Sequence, residues 1–314
     1  MHTSDLSIVI PFYNEFDNVA LLFSRLTPVV NSLALDCEII CVDDGSTDNT
    51  LSALISARKN DPRIRIIRLS RNFGKEAAIT AGLQAASKQH VLLMDGDLQH
   101  PPELLPDMLR IQANGIDVVF GLRRSRKTDG RLRSTLTAIF YRILSITSEI
   151  SIPANAGDFR LMSRRVVDAL NSLPEQDRFM KGLYAWVGYS QQAIVYDVET
   201  RPSGVSKWSF SNLFIYAWNG IISFSAMPLR IWSVIGACVA MLALSYAIWI
   251  GITTVLYGRD VPGYATLAVA IFFLGGLQLL SIGVLGEYVA HIFRETKRRP
   301  QFVVEKEIGF EGKK

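Results

Sequence analysis

The 314-residue chain contains few of the residues that organise disulfide-rich or zinc-binding folds. Its three cysteines, Cys37, Cys41 and Cys238, have no spacing typical of a zinc site or a disulfide framework, so we expect buried, reduced thiols. Four histidines are scattered along the chain and indicate no metal centre. Only His100 adjoins an acidic loop, where we expect a hydrogen-bonded polar residue rather than a catalyst. The sequence also lacks internal repeats and low-complexity tracts.

Two common nucleotide-binding motifs are missing as well. The segment Arg71 to Lys75 places a Gly-Lys pair before a predicted helix, but it lacks the upstream glycine spacing and the following Ser or Thr of a P-loop. The sequence contains no Gly-x-Gly-x-x-Gly fingerprint of the dinucleotide-binding type. These absences argue against ATPase and NAD-dependent functions.

Two long apolar stretches, Ile231 to Gly258 and Val261 to Gly286, are present in the last third of the chain. Each exceeds the roughly 20 residues that an α-helix needs to cross about 30 Å of hydrocarbon, so we predict a two-helix transmembrane hairpin over residues 229–293. A hairpin buried in the core of a soluble protein is the alternative. Basic residues crowd the far end of the second stretch, and by the positive-inside rule both termini, including a tail over 294–314, are predicted to be cytoplasmic. The first residues show no basic region before an apolar run, so we expect no cleaved secretory signal.

Before these stretches, short apolar runs alternate with segments of helical periodicity, as in α/β domains. We predict strands at 6–11, 37–42, 64–69, 90–94 and 117–121, and helices at 15–33, 48–60 and 76–87. The strands are apolar without alternation, which favours a mostly parallel sheet covered on both faces. Residues 1–228 are therefore predicted to form the cytoplasmic domain. From Pro300 onward, apolar and charged residues alternate, which predicts either a short strand in an oligomer or a disordered end.

Polar residues follow several predicted strands, at the edge where open α/β sheets bind ligands. The segment Asp95-Gly96-Asp97-Leu98-Gln99 follows the strand at 90–94. Its carboxylate and amide oxygens suit Mg²⁺ or Mn²⁺, which prefer hard donors and bridge phosphate oxygens; an exposed turn is the alternative. After the strand at 37–42, Asp43 or Asp44 is predicted to accept hydrogen bonds from a base or ribose. One of the next three polar residues is predicted to cap the following helix: Ser46, Thr47 or Asp48.

Six basic residues cluster after the last predicted strand: Arg123, Arg124, Arg126, Lys127, Arg131 and Arg133. We interpret the cluster as facing phosphate from a lipid or a nucleotide, with an ordinary solvated face as the alternative. The sequence has no recognisable nucleic-acid-binding module, so we expect no nucleic-acid partner. Two amphipathic segments, 132–150 and 210–227, are predicted to lie in the membrane interface, with packing against the sheet or another subunit as the alternative.

Taken together, these motifs resemble glycosyltransferase family 2, the inverting enzymes of GT-A fold. Four segments carry the resemblance in order along the chain: Pro11 to Glu15, Asp43 to Asp48, Asn72 to Lys75 and Asp95 to Gln99. Further segments are similar to the polyprenyl-phosphate branch, especially bactoprenol glucosyltransferases, a branch related to dolichol-phosphate mannose synthase: Thr128 to Leu132, Gly157 to Arg164, Phe179 to Gly182 and Gly275 to Tyr288. The resemblance covers essentially the whole chain. It implies a GT-A catalytic domain followed by two transmembrane helices.

The resemblance also implies roles for single residues. Five match a nucleotide pocket: Pro11, Tyr13, Glu15, Asp43 and Asp44. Three residues match metal ligands: Asp95, Asp97 and Gln99. Asp97 is also assigned to catalysis, and Asp95 is also assigned to donor binding. Lys75 matches a position near the donor, and Arg123 and Arg131 match residues that meet the lipid phosphate.

Other matches concern a loop and a possible base. Arg201, Ser206, Lys207 and Trp208 are similar to a mobile loop, in which Arg201 and Lys207 close on the diphosphate and Ser206 meets the acceptor phosphate. Asp158 matches a candidate general base, with a salt bridge to Arg160 or to a neighbouring loop as the alternative. Gly96 stands where many relatives have Ala or Val, a change that we expect to be tolerated.

The implied function is inverting transfer of glucose from UDP-glucose to undecaprenyl phosphate, assisted by Mg²⁺ or Mn²⁺. The resemblance places a homo-oligomeric enzyme in the bacterial inner membrane with its catalytic domain in the cytoplasm, and its β-linked lipid product serves O-antigen, lipopolysaccharide or other envelope glycans. GDP-mannose or a UDP-4-amino-4-deoxy-arabinose derivative is the alternative donor. A catalytically inactive membrane scaffold is the alternative from another class. A processive polysaccharide synthase is disfavoured because the sequence lacks Gln-x-x-Arg-Trp and further spans.

Overall fold

A computed structural model describes residues 5–124, 156–197, 227–257 and 263–310 of the chain. The chain divides into two compact units. The first comprises Met1–Ala217 together with Arg299–Lys314, and the second comprises Trp218–Arg298. The end of the chain therefore belongs to the first unit, although the second unit separates the two in sequence.

The first unit is built on a mixed sheet. Its strands are β1 (Asp5–Phe12), β2 (Asp36–Asp43), β3 (Ile64–Leu69), β4 (His90–Leu93), β5 (Val118–Arg123), β6 (Ala156–Ser163), β7 (Gln191–Tyr196) and β8 (Val304–Ile308). Its helices are α1 (Phe16–Ser32), α2 (Thr50–Asn60), α3 (Lys75–Ala85), α4 (Leu105–Gln112), α5 (Arg164–Ser172) and α6 (Met180–Trp186), with a short 3₁₀ turn at Pro102–Leu104. The strand order is β7-β5-β6-β4-β1-β2-β3-β8.

The centre of the sheet is parallel and buried on both faces. Strands β4, β1, β2 and β3 pair in parallel, and their apolar side chains, such as Ile8 and Val9 on successive positions of β1, are fully buried. Helices α1, α2 and α4 pack on the face that contains Ile8, whereas α3 packs on the face that contains Val9. Helices on both faces of a parallel central sheet confirm the predicted α/β class. Strands that are apolar without alternation need such cover on both sides.

Strand β6 departs from the predicted mostly parallel pattern. It lies between β4 and β5 and pairs antiparallel with both, with Leu93 of β4 opposite Arg160 of β6. An antiparallel strand begins at the edge where its neighbour ends. The first residues of β6 therefore lie at the same edge as the polar segment that follows β4.

The second unit contains two long helices, α7 (Met227–Tyr257) and α8 (Tyr264–Lys297). Both are long and apolar enough to cross a membrane, with mean hydropathies of 2.0 within Ile231–Ile250 and 2.1 for the most apolar stretch within Val269–Lys297. Their apolar side chains are exposed, as shown by Leu242 at 71% and Val255 at 85%. So large an exposed apolar surface is unusual for a soluble protein and argues against a hairpin buried in its core.

The segment after α8 forms an edge strand of the first unit. Strand β8 pairs antiparallel with β3, and the backbone N–H of Ser70 donates to the carbonyl of Val303 at 2.9 Å. Glu305 on β8 also lies 2.9 Å from the guanidinium of Arg68 on β3. A strand had been predicted here in an oligomer, with disorder as the alternative; the structure places the strand on the chain's own sheet.

We expect a chain ending at Arg299 to be less stable than the full chain, because loss of β8 exposes the backbone edge of β3 and removes the partner of Arg68. A loss of about 2 kcal/mol would lower the thermal midpoint of a domain of this size by roughly 4–8 °C. Thermal unfolding of the purified proteins in detergent measures the difference. A chain ending at Phe310, which keeps all of β8, is the control and should unfold with the full chain. Equal midpoints for all three proteins would show that β8 adds no stability.

Candidate functional site

The predicted site residues meet at one edge of the sheet. Asp95 to Gln99 follow β4, Tyr13 follows β1, and Asp43 is the last residue of β2. Asp158 is the third residue of the antiparallel β6, and Arg123 ends β5 beside Tyr196 of β7. These five elements bring carboxylates and cations from distant parts of the sequence to the carboxyl ends of the parallel strands, where α/β sheets bind ligands.

Lys75 links two of the predicted carboxylates. Its ammonium Nζ lies 2.6 Å from Oδ1 of Asp95 and 2.6 Å from Oδ2 of Asp158. Both carboxylates are largely buried, with side-chain exposures of 19% and 12%. Burial alone would raise the pKa of Asp158, but the charges of Lys75 and Lys181 outweigh it and hold that pKa well below its usual value. Asp158 is therefore an ionised partner of Lys75 and a weak proton acceptor.

Asp44 fixes the position of Lys75. Its two carboxylate oxygens accept hydrogen bonds from the backbone N–H groups of Phe73 at 2.7 Å and Gly74 at 3.0 Å, directly before Lys75 begins α3. Gly74 has a φ of 99°, which an L side chain rarely adopts. Burial raises the pKa of Asp44, and the two N–H donors oppose that effect. The Asp44 carboxylate, predicted to meet the donor, thus holds the loop that presents Lys75.

The loops after β2 and β3 are in close contact at Gly45. This residue has a φ of 64°, and an added Cβ would lie 2.4 Å from the backbone carbonyl carbon of Arg71. Asp43, which precedes the turn, is fully buried and accepts a hydrogen bond from the backbone N–H of Ser46 at 3.0 Å. Its other carboxylate oxygen lies 3.9 Å from the guanidinium of Arg68. The turn therefore requires glycine for both conformation and space.

Asp48 precedes Asn49, the N-cap residue of α2, and binds the backbone at the start of two helices. One of its oxygens accepts a hydrogen bond from the backbone N–H of Thr50, the first residue of α2, at 2.9 Å. The other accepts the N–H of Phe16, the first residue of α1, at 3.3 Å. The hydroxyl of Ser46 accepts the N–H of Asn14 at 3.0 Å, so the loops after β1 and β2 hold each other.

The predicted residues near the end of β1 belong to the same pair of loops. Pro11 lies opposite Val42 in the parallel register, and Tyr13 and Glu15 follow the strand. The backbone N–H of Glu15 donates to the hydroxyl of Thr50 at 2.9 Å. These contacts join the loops after β1 and β2 at the edge of the sheet where a nucleotide pocket was predicted.

The acidic segment after β4 is a tight turn. Asp97 is 7% exposed, and its Oδ1 accepts the backbone N–H of Gln99 at 3.2 Å across Leu98, whose φ is 63°. His100 is fully buried; its Nδ1 accepts the backbone N–H of Asp95 at 3.1 Å, and its ring stacks on Phe159 at 5.1 Å. Burial lowers the pKa of His100, so the ring is neutral and supports the turn as the sequence predicted.

The donor set of this turn fits a hard divalent ion. Among the described residues, no three His, Cys, Asp or Glu side chains are grouped to enclose a metal. Mg²⁺ does not need such a cage, because it keeps several waters and is commonly bound through one or two carboxylates plus substrate phosphates. Asp95, Asp97 and Gln99 offer two carboxylates and one amide oxygen within a single turn. The residues present therefore suit Mg²⁺ or Mn²⁺ held jointly with a diphosphate.

Gly96, which stands where many relatives have Ala or Val, has packing around it that leaves little room for a larger residue. An added Cβ would lie 2.7 Å from Cε1 and 2.8 Å from Cδ1 of the Phe12 ring, which is 1% exposed and packed in the core. The ring cannot move without displacing its own neighbours, because protein interiors are close-packed. Gly96 and Phe12 therefore have to be considered as a pair.

We predict that Gly96→Ala lowers the free energy of unfolding by about 1–3 kcal/mol, the usual effect of overpacking a core. The double variant Gly96→Ala with Phe12→Leu should recover part of this loss, because the smaller side chain makes room for the methyl group. Gly157→Ala is the control, since its added Cβ meets nothing closer than 3.7 Å. Thermal midpoints of the purified variants measure the effect. A Gly96→Ala protein as stable as wild type would show that Phe12 adapts freely.

A general base role for Asp158 stays a prediction, and its alternative was a salt bridge to Arg160 or to a neighbouring loop. A salt bridge is present, but its partner is Lys75 rather than Arg160. The Arg160 guanidinium instead lies over the ring of Tyr184 at 4.3 Å, and its Nε donates to the carbonyl of Gly157 at 3.2 Å. No local sequence signal identifies Lys75 as the partner, because the two residues are 83 positions apart.

Several predicted residues lie outside the described ranges. These are Arg131, Arg201, Ser206, Lys207 and Trp208, together with the amphipathic segments at 132–150 and 210–227, of which only Met227 is described. Their predicted roles at the acceptor phosphate, the diphosphate and the membrane interface stay predictions.

Two family models match the chain. Residues 7–170 match the model described as glycosyl transferase family 2, which covers more than half of the chain. Residues 227–292 match the model described as GtrB C-terminal hairpin, which coincides with α7 and most of α8. The first matched segment lies within the sheet-containing unit, and the second lies within the helical unit.

Two full-length relatives and one solved structure extend this comparison. An uncharacterized glycosyltransferase of Synechocystis sp. is 47% identical over 309 residues, covering 98% of this chain and 97% of that protein. A bactoprenol glucosyl transferase of Shigella phage SfV is 40% identical over 302 residues, covering 96% and 98%. The crystal structure of glucosyl-3-phosphoglycerate synthase from Mycobacterium tuberculosis, in complex with Mn²⁺, UDP-glucose and phosphoglyceric acid, has a TM-score of 0.49 at 21% identity and covers 70% and 78%.

Proposed function

The chain belongs to glycosyltransferase family 2, and we propose that it transfers glucose from UDP-glucose to undecaprenyl phosphate with inversion at the sugar. Relatives named as bactoprenol glucosyl transferases align over nearly the whole chain, hairpin included, which supports a polyprenyl phosphate acceptor and a glucosyl donor. The mixed GT-A-like sheet presents its ligand edge with Asp95, Asp97 and Asp158, as a nucleotide-sugar site requires. The observation that carries the proposal is the convergence of Lys75, Asp95 and Asp158 from three separate elements at this edge.

The donor would lie along the carboxyl ends of β1, β2 and β4. Asp95, Asp97 and Gln99 would hold Mg²⁺ or Mn²⁺, which neutralises charge on the diphosphate when it is bound. Asp43, at the end of β2, would bind the nucleoside. Asp44 holds the loop that carries Lys75. Lys75 places a positive charge beside the same carboxylates, where the diphosphate must lie. These residues bind and orient the donor so that leaving-group charge is stabilised in place.

The acceptor supplies its own nucleophile. A phosphate monoester is anionic near neutral pH, so its oxygen can attack C1 of the sugar without a general base. A bond forms between that oxygen and C1 as the bond from C1 to the diphosphate oxygen breaks, and UDP leaves. Displacement from the opposite face converts an α-linked donor into a β-linked lipid phosphate sugar. Asp158, ionised beside Lys75, acts in this scheme as an electrostatic partner that orients the ammonium.

The two long helices would keep the catalytic unit at the lipid surface. Arg294, Lys297, Arg298 and Arg299 follow the second span, which supports cytoplasmic termini and a cytoplasmic active site in the inner membrane. Arg123 at the end of β5, together with Arg131 and the loop of Arg201, Ser206 and Lys207, would meet the acceptor phosphate and the diphosphate. We propose a homo-oligomer whose lipid-linked glucose is consumed in O-antigen or other envelope glycan modification.

An assay of the purified protein in detergent tests the proposal. Undecaprenyl phosphate and radiolabelled UDP-glucose are supplied with or without a chelator, and label is followed into the organic phase. Chelator-sensitive labelling of the lipid is expected. Labelling only with GDP-mannose or with a UDP-4-amino-4-deoxy-arabinose derivative would change the donor and keep the reaction class. No labelling with any donor would favour a membrane scaffold that kept the fold without the activity.

A further inference from the structure

The carboxylate of Asp95 has two potential cationic partners, Lys75 and the divalent cation. Oδ1 of Asp95 lies 2.6 Å from the ammonium of Lys75, and Asp95 is also one of the two carboxylates of the proposed cation site. An ammonium donates up to three hydrogen bonds, so Lys75 serves Asp95 and Asp158 together. A divalent cation held by Asp95 would have to share this carboxylate with the ammonium and is repelled by a positive charge so near.

Resting on the proposed function, we propose that Lys75 competes with the divalent cation for the Asp95 carboxylate and so limits the affinity of the site for the cation. Asp158 allows the cation to replace Lys75 at Asp95, because the ammonium keeps its ion pair with Asp158 when its contact with Asp95 is lost. Lys75 is in this sense a positioning residue that regulates cation entry, in addition to any contact that it makes with the donor.

The loop before Lys75 keeps the ammonium in the site throughout. Asp44 holds the N–H groups of Phe73 and Gly74, so the start of α3 cannot swing away when Asp95 is released. Asp158 is held as well, since it lies on β6 two residues from Arg160, which pairs with Leu93 of β4 and Phe120 of β5, and its side chain is only 12% exposed. The displaced ammonium therefore stays beside the position of the diphosphate.

The nucleotide should consequently help the cation to bind. A diphosphate offers Lys75 new anionic partners and relieves the competition for Asp95. Binding couplings are reciprocal, so UDP raises the affinity for the cation and the cation raises the affinity for UDP. If Lys75 carries part of this coupling, UDP will strengthen cation binding more in the wild type than in a variant without the ammonium.

Titration with Mn²⁺, followed by the electron paramagnetic resonance signal of the free ion, measures cation affinity without any turnover. We compare full-length wild type, Lys75→Met, Lys75→Arg and Lys59→Met in detergent, each with and without UDP. Without UDP, Lys75→Met should bind Mn²⁺ about tenfold more tightly, because a unit charge next to the cation is removed. Lys75→Arg should stay near wild type. Lys59→Met, which removes an exposed charge on α2, should equal wild type.

Equal or weaker Mn²⁺ binding by Lys75→Met overturns the inference, and so does an equally large effect of UDP in wild type and variant. Absence of Mn²⁺ binding by all four proteins, even with UDP, overturns the cation site of the proposed function as well, so the two failures are distinguishable. Thermal midpoints check that each protein is folded. If Lys75→Met is unfolded, Lys75→Gln removes the same charge while keeping a polar side chain, and its titration decides the question.

Discussion

Replacing Asp97 by asparagine is expected to lower lipid glucosylation at least about a hundredfold. Loss of a group that only supports a metal ligand costs roughly 10–100-fold, and Asp97 is proposed as a ligand itself. Asparagine keeps Oδ1, which can still accept the Gln99 N–H that closes the turn at 3.2 Å, so the fold should not change. Initial rates with labelled UDP-glucose at a fixed Mn²⁺ concentration measure the loss.

The control for this variant is Asp107→Asn. Asp107 lies in the first turn of α4, outside the acidic turn, with a side chain that is 52% exposed and pairs with Arg110, and its substitution removes the same charge. It should keep wild-type activity, and both variants should keep the wild-type thermal midpoint. Activity of Asp97→Asn within about threefold of wild type would contradict a cation held by this turn.

Replacing Asp158 by asparagine is expected to reduce transfer about a hundredfold, the size of effect seen when one preorganised electrostatic group is lost. The reason is that Lys75 loses one of its two anionic partners and its orientation, while the phosphate nucleophile stays ionised. Monoester phosphates lose their second proton near pH 6, so kcat/KM for the acceptor should fall below about pH 6 in wild type and variant alike. The ratio of the two rates should therefore be constant across that range.

The pH profile separates this role from general base catalysis. If Asp158 removed a proton from the acceptor, the wild type would keep its activity below pH 6, whereas Asp158→Asn would lose activity. The ratio of the wild-type rate to the variant rate would then grow as the pH falls. Such a divergence would reinstate Asp158 as a base. Initial rates from pH 5.5 to 8 for both proteins, each with its thermal midpoint, are sufficient to decide.

The central sheet could be predicted from local sequence because its strands are buried on both faces. Continuous apolar runs such as Leu6 to Ile10, followed by polar residues, are sufficient to identify a parallel strand and the edge that binds ligands. The helices α1, α2 and α3 followed from periodicity, whereas α4 between β4 and β5 was not predicted. The predicted pairs of strands and helices up to β5 agree with the structure within a few residues.

Strand β6 could not be predicted in the same way. Its eight residues include Gly157, Asp158 and Arg160, and the last of these is a charged side chain that is only 1% exposed. Arg160 is tolerated because the aromatic rings of Phe120 and Tyr184 face its guanidinium at 5.3 and 4.3 Å. The contacts that make this segment a strand come from other elements and leave no periodic signal in its own sequence.

The sequence by itself determined the chemical groups at the site and the two apolar helices, because side-chain type, apolar length and the polar residues after buried strands are local properties. The tertiary structure decided which of those groups meet. Whether Asp158 faces Arg160 or Lys75 depends on β6 running antiparallel beside β4 and on Asp44 fixing the start of α3. A charge attracts any opposite charge near it, so the ion-pair partner of Asp158 depends on the backbone hydrogen bonds that set its distances to Lys75 and Arg160.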